Sequence, residues 1–580
     1  MLFNHHKLNK YTISSTKVSS TWCVAWGKVD FITENVAWRD EQFAVVIPDT
    51  SYHHPAEQFA ISPNEQFVLI GDVWLSNRAE LLQQLGINPS EWMGTDCQVI
   101  AQIWQQLGCE SLRKLVGMFG LVVWDRQRQV LWLGRDRVGA STLYYTTTGP
   151  TRWIASALRS LTPYRSAELD KVALRDYLCC AFVPGEQTLW KQVREIRPGT
   201  VRQFPHQTVH TYWQLQEQII GADEPLEWHS DRLRTLLHQV VHEYLPPNQA
   251  VGVFLSGGLD SSSVTAIAAQ KAKVHTYSIH FGSECPNELE FSSLVAQHCH
   301  TQHHILEITF QQMWENLPET MAYLDDPIGD PLTVPNLLLA KLAQESVQVV
   351  LNGEGGDPCF GGPKNQPMLI NNLYNNSVIN QDSLQAYLIA FQKCATDLPQ
   401  LLTKEVWTAV EKEPSVFWAD LNSNANYLNR LMALNIKYKG ADHILTKVNN
   451  LTQAARLHGL SPLFDQRVVD LSMQIPPEYK LSGVVEKAVL KQAVADLLPS
   501  EIIHRPKSGM MVPVQLGFRK YWQREARKLL LNPKAATAPY LNQSIIRNWL
   551  DYKGDTWNRY GVKLWLLVSL EIWLQVNKSV

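Results

Sequence analysis

A short apolar run, Val251-Gly252-Val253-Phe254-Leu255, leads directly into Ser256-Gly257-Gly258-Leu259-Asp260-Ser261-Ser262. No other stretch constrains the chain as tightly. A buried strand that turns through small residues into a helix aims backbone N–H groups at whatever occupies the turn. Two glycines let the backbone approach an anion closely, and the helix N-terminus adds partial positive charge. Serine hydroxyls supply further donors. Asp260 is out of place in an anion site unless a metal ion joins it, and Mg²⁺ bridging phosphates resolves the conflict. A bare Ser-Gly-Gly is most often a capped turn. The strand before it and the acid after it favour a phosphate loop, although the Gly-Lys-Ser/Thr ending of a Walker loop is missing.

The downstream rhythm supports this. Spacing predicts a helix over 261–271, a strand over 274–281, a helix over 291–299 and a strand over 304–308, which is the pattern of a parallel, doubly wound α/β sheet. Residues 347–351 form another apolar run and enter Asn352-Gly353-Glu354-Gly355-Gly356-Asp357. Ligands in open α/β sheets bind at the carboxyl ends of strands, so both glycine loops belong on one edge. Phosphate contacts then fall to Ser256, Gly257, Gly258, Asp260, Ser261, Ser262, Gly353 and Gly355. Asp260 and Asp357 would share a metal ion, leaving Glu354 for proton transfer. Past about residue 401 the pattern is mostly helical.

The first 205 residues read differently. Short strands are expected at 43–47, 67–70, 119–124, 130–133 and 142–145, with helices at 77–85 and 97–107, an antiparallel α+β layout. A polar connector over 205–222 precedes a helix at 226–245 that stops at Pro246-Pro247. Lysines and arginines number 52 against 55 acids, a net charge of −3, so no basic surplus points to nucleic acid. The nine cysteines form no CxxC pair, the start has no apolar leader, and the apolar stretch at 562–576 contains Lys563 and Glu571. A cytoplasmic protein with no membrane partner is expected. His298, Cys299, His300, His303 and His304 mimic a metal cluster but border an apolar helix face, which favours packing. Tyr323 is read as a packed aromatic rather than a partner of Glu354.

These motifs together resemble the asparagine synthetase family. Its synthetase domain carries a Ser-Gly-Gly-x-Asp-Ser loop and a Gly-Glu-Gly-x-Asp loop. A later run is matched here by Glu486-Lys487, Leu490-Lys491, Leu498-Pro499 and Arg505-Pro506-Lys507, and Asp326-Pro327-Ile328-Gly329-Asp330-Pro331 is also typical. Upstream, Thr95-Asp96-Cys97, Gly117-Met118-Phe119, the run from Gly134 to Gly139 and Leu143-Tyr144-Tyr145 resemble the fused glutamine amidotransferase domain. The resemblance implies an Ntn-hydrolase-like antiparallel sandwich over 1–205, a connector and helix over 206–245, and an ATP-pyrophosphatase ligase domain with a helical C-terminal part over 246–580. It also implies ATP and Mg²⁺ as cofactors and assigns catalytic roles to Glu354 and Lys507.

Two departures stand out. The family's nucleophile is an N-terminal cysteine after the initiator methionine, where this chain has Leu2; the oxyanion-hole segment Asn-Gly-Glu matches Ile70-Gly71-Asp72. A first domain that does not hydrolyse glutamine is therefore expected, unless removal of 22 residues exposes Cys23. The second departure is Pro358 to Asn365, which replaces the family's run after the second loop. The resulting expectation is an ATP-dependent ligase that adenylates a carboxylate and transfers the acyl group to a nitrogen nucleophile. Its substrate would be a peptide or small molecule, and β-lactam synthetases and lasso-peptide cyclases share that logic. A precursor peptide and a protease would be its partners. The alternatives are asparagine synthesis from aspartate, ATP and ammonia, and a non-catalytic scaffold with the same fold.

Overall fold

The computed structural model describes residues 21–47, 55–362, 381–482, 485–505, 511–554 and 559–578. Its first part stacks two six-stranded sheets, each antiparallel throughout. One sheet runs, in spatial order, Arg194–Glu195, Tyr144–Thr148, Thr151–Ala155, Cys23–Gly27, Phe43–Val46 and Val36–Arg39. The other runs Thr208–Thr211, Thr200–Phe204, Val130–Arg135, Gly117–Asp125, Phe67–Leu75 and Phe59–Ile61. Side chains alternate across each strand. Trp22, Val24, Phe43, Val45, Val68, Ile70, Val122 and Trp124 therefore meet between the sheets, while Cys23 and Ala25 face the opposite side, onto Trp153 and Leu158. The strand Thr208–Thr211 lies inside the stretch expected as connector.

The Gly134–Gly139 motif is a folding knot. The buried Arg135 guanidinium donates to the carbonyls of Ser141 (2.6 Å), Ile196 (2.9 Å) and Gly139 (3.0 Å). Asp136, also buried, accepts from the backbone N–H groups of Gly139, Ala140 and Ser141 at 2.7 to 2.9 Å. Each charge satisfies a turn that would otherwise bury unpaired backbone groups.

The second part is built on a five-stranded parallel sheet ordered Gln302–Glu307, Val274–His280, Val251–Phe254, Val349–Leu351 and His458–Leu460. The last strand comes from the region expected to be helical. Its three residues include Gly459, too short a run for alternation to reveal. The chain leaves Val251–Phe254 toward one edge and returns on its other side at Val349. The switch point of the sheet, where a crevice must open, thus falls between the two strands that carry the glycine loops.

The two parts share core. Asp325 and Asp326, at the head of the Asp-Pro-Ile-Gly-Asp motif, accept from Leu158 N–H (2.8 Å) and Leu189 N–H (2.9 Å) of the first part. Arg197 pairs with Asp442 at 2.7 Å, and the same carboxylate accepts from Gly185 N–H at 2.8 Å. Asp442 belongs to a π-helical stretch, Asn435–Leu445, that continues into the helix Thr446–Ala454. Its side chain is buried, so removing it takes from Arg197 its nearest carboxylate and from the Gly185 N–H its acceptor. Asp442→Ala is expected to cost about 3–5 kcal/mol and to lower the first transition in a thermal melt. An unchanged melt would show that this pair does not hold the two parts together.

Candidate functional site

Both glycine loops open onto a cleft of about 320 Å³ at the switch point. Gly257 takes φ +76°, a conformation glycine reaches freely. A Cβ there would stand 2.5 Å from Ser292 N, so the loop is pressed against the helix Leu289–His298. Ser256 N–H donates to Ser261 Oγ (3.2 Å) and Gly258 N–H to Ser256 Oγ (3.3 Å). These bonds fix the turn ahead of the helix Leu259–Ala269. Ser262 is buried within the helix Leu259–Ala269, and its hydroxyl has no partner among the described residues.

The second loop packs directly on the first. A Cβ on Gly353 would stand 2.6 Å from Ser261 Cα, and one on Gly356 would stand 2.6 Å from Asp260 Oδ2. Only glycine permits that approach. Ser256, Gly258, Asp260, Ser261, Gly353, Glu354 and Asp357 all line the cleft. Glu354 is held by its own backbone, its N–H donating to Asn352 Oδ1 at 3.0 Å. Lys507 lies outside the described residues, as do positions 363–365 of the divergent run and Leu2. Within that run, Cys359 is buried and bonds the Leu463 carbonyl at 3.5 Å; burial pushes its thiol up to about 12.

Three of the cationic groups that line the cleft hold ion pairs to which the sequence reading gave no role. Lys487 Nζ lies 2.7 and 2.6 Å from the two Asp260 oxygens and 2.6 Å from Asp357 Oδ1. These carboxylates hold its pKa high despite burial. Lys447 is buried and pairs with Asp330 at 2.9 Å, which His443 approaches at 3.4 Å. Arg505 donates to the Gly257 carbonyl at 3.1 Å and pairs with Glu288. Lys487 and Arg505 lay in the family-like run. Lys447 sits four residues after His443 on a continuous helix, and only the fold brings it to Asp330. The hard oxygen donors of Asp260 and Asp357 suit Mg²⁺, but Lys487 already holds them.

Other sequence candidates fall elsewhere. His303 meets Thr276 (2.9 Å), His304 meets His275 (3.2 Å) and His298 meets the Leu497 carbonyl (3.2 Å), so these rings serve separate partners. Tyr323 ends a helix, and its carbonyl accepts from Arg159 at 3.2 Å; it is not among the residues that line the cleft. In the first part, Ile70 is fully buried between the sheets. Asp72 accepts from Trp22 Nε1 (3.0 Å) and Gln58 Nε2 (2.6 Å). Cys23 points to the opposite sheet face from Trp22, and burial pushes its thiol up to about 12. Among the described residues every cysteine is free, and no helix is long and apolar enough to cross a membrane.

Gly356→Ala is expected to force the two loops apart and weaken ATP binding at least about tenfold by equilibrium dialysis. Gly258→Ala, whose Cβ would meet only Ser256 Oγ at 3.3 Å, should bind more nearly as the unsubstituted chain does. Equal affinities would separate loop contact from nucleotide binding. Cys23 should resist iodoacetamide at about pH 8 in the folded chain and react once denatured, as read by peptide mass spectrometry. Native-state labelling would contradict its burial.

Comparison with known proteins agrees with the geometry. The asparagine synthase family model matches residues 232–575, and a glutamine amidotransferase domain model matches 31–213. Asparagine synthetase [glutamine-hydrolyzing] 1 of Bacillus subtilis is 25% identical over 521 residues, covering 83% of this chain and 81% of its own length. Asparagine synthetase [glutamine-hydrolyzing] 3 of the same organism is 26% identical, covering 77% of this chain and 75% of its own. Asparagine synthetase B of Escherichia coli is 23% identical, covering 71% of this chain and 64% of its own. With the synthase model spanning more than half the sequence and both glycine loops on one cleft, the chain belongs to the asparagine synthase family of ATP-dependent carbon–nitrogen ligases.

Proposed function

We propose that this ligase adenylates a substrate carboxylate and passes the acyl group to a nitrogen nucleophile without hydrolysing glutamine. The observation that carries this reading is the contrast between its two parts. The cleft brings both glycine loops and Glu354 together. In the first part, Trp22 occupies the sandwich beside Asp72 while Cys23 faces away. We take that part as an inactive type 2 amidotransferase, an Ntn-hydrolase-like sandwich over 1–205, joined through 206–245 to the ligase domain at 246–580.

In the first step a carboxylate oxygen attacks the α-phosphorus of ATP, and the bond to the bridging oxygen breaks to release pyrophosphate. The loop from Ser256 to Ser262, with Gly353 and Gly355, cradles the phosphates. Mg²⁺ held by Asp260 and Asp357 would offset phosphate charge there. In the second step the nitrogen lone pair attacks the acyl carbon, Glu354 takes the nitrogen's proton, and AMP departs with the acyl–oxygen electron pair. Lys507 is assigned to stabilise charge on the tetrahedral intermediate and leaving phosphate. The favoured nucleophile is an amine on the substrate or a peptide, made into an amide or ring, with a precursor peptide and a protease as partners. The second reading, asparagine from aspartate, ATP and an ammonia source, is supported by the names of the relatives, which are asparagine synthetases of the glutamine-hydrolyzing kind.

ATP–pyrophosphate exchange across a panel of carboxylates and peptides distinguishes these readings. Aspartate-dependent exchange with asparagine formed from ammonium selects the second. No exchange and no ATP binding would leave a scaffold. Glu354→Gln should keep exchange and lose amide formation by about a hundredfold or more. Ammonia released from glutamine by the full chain would overturn the inactive-amidotransferase reading.

A further inference from the structure

We propose that Lys487 is the resident counter-cation of the Asp260–Asp357 pair, and that a divalent ion enters these oxygens only by displacing its ammonium group. Metal is then taken up together with phosphate and not alone. The proposal rests on the reading of Asp260 and Asp357 as metal ligands.

Lys487 Nζ lies within 2.7 Å of both Asp260 oxygens and of one Asp357 oxygen. Three of the four carboxylate oxygens are thus engaged by one group. The backs of both acids are closed by glycine backbone. A Cβ on Gly356 would press into the Asp260 carboxylate, and one on Gly362 would stand 2.5 Å from Asp357 Cγ. The cleft side is the side that Lys487 holds. Its side chain is only 3% exposed, so bulk water does not screen the pairing.

The backbone commits Lys487 to this place. It takes φ +54° and ψ +36° immediately before the helix Ala488–Ala493. A non-glycine residue rarely adopts this left-handed conformation, and it persists only where the surroundings over-determine it. Glu486 before it also lines the cleft.

Mg²⁺ demands oxygen ligands at about 2.0–2.1 Å in near-ideal octahedral geometry. An ammonium group donating to the same oxygens excludes that geometry. A metal arriving alone must strip a buried cation from its two paired counter-charges, which is strongly unfavourable. A phosphate chain on the Ser256–Ser262 loop changes the balance, because its oxygens receive the displaced ammonium. Lys487 then exchanges carboxylate for phosphate, and the total charge of the site stays nearly matched.

Equilibrium dialysis of the full chain against Mn²⁺, with and without inorganic pyrophosphate, tests this. Protein-bound Mn²⁺ should be at least about tenfold tighter with pyrophosphate than without it. Asp357→Asn should abolish that gain, locating the ion. Lys487→Gln, which removes the competing charge, should bind Mn²⁺ alone at least about tenfold more tightly than the unsubstituted chain. Tight Mn²⁺ binding by the unsubstituted chain with no gain from pyrophosphate overturns the exchange while leaving the metal site standing. No Mn²⁺ uptake under either condition overturns both. The pyrophosphate dependence requires no variant, so its absence overturns the exchange even if Lys487→Gln fails to fold.

Discussion

The contact between two glycine loops underlies the rest of the cleft. Val251–Phe254 and Val349–Leu351 are hydrogen-bonded neighbours in a parallel sheet, so both chains leave the sheet at the same edge. Glycine at 353 and 356 then lets the second loop lie on Ser261 and Asp260 at distances no side chain allows. This approach brings two acidic residues close enough to share one cation. It also fixes where Glu354 sits relative to the loop from Ser256 to Ser262. A single added methyl group at that seam would disturb both loops, the carboxylate pairing and the candidate base together.

Much of this was legible in the sequence because local pattern and tertiary placement agree. The apolar runs before Ser256 and before Asn352 are strands, and strands of a doubly wound sheet deliver their loops to a common edge. The partners that complete the site were harder to see. Lys447 reaches Asp330 across 117 positions, and no spacing rule connects them. Lys487 was visible only as part of a family-like run, with its link to Asp260 spanning 227 positions. The strand His458–Leu460 is three residues long and flanked by helix, so alternation had no room to appear. In the first part, the strands Cys23–Gly27 and Thr151–Ala155 stand out less in the sequence for a related reason: Trp26, Arg152 and Trp153 blur the contrast between faces on which period-two reading depends.

The aspartates of the Asp326–Pro331 region divide by position. Asp325 and Asp326 are spent on backbone N–H groups of the first part, where burial raises both carboxyls above their ordinary range. Asp330, four residues on, faces Lys447 and is held well below that range by its ammonium and by His443, despite burial. One short segment thus clamps the two parts together and anchors a cation in the cleft wall.

The same coupling gives the first part a physical task that does not depend on glutamine chemistry. Arg197 and Gly185 hold Asp442, and Phe182 stacks on His443 with ring centroids 5.4 Å apart. Both residues lie on the π-helical stretch that leads into Thr446–Ala454 and so sets the position of Lys447. A π-helical stretch is rare in proteins, and tertiary contacts hold this one. Here those contacts come from the sandwich. A first domain without a working nucleophile would still shape the ligase cleft, because the wall carrying Lys447 is braced from the other side of the interface.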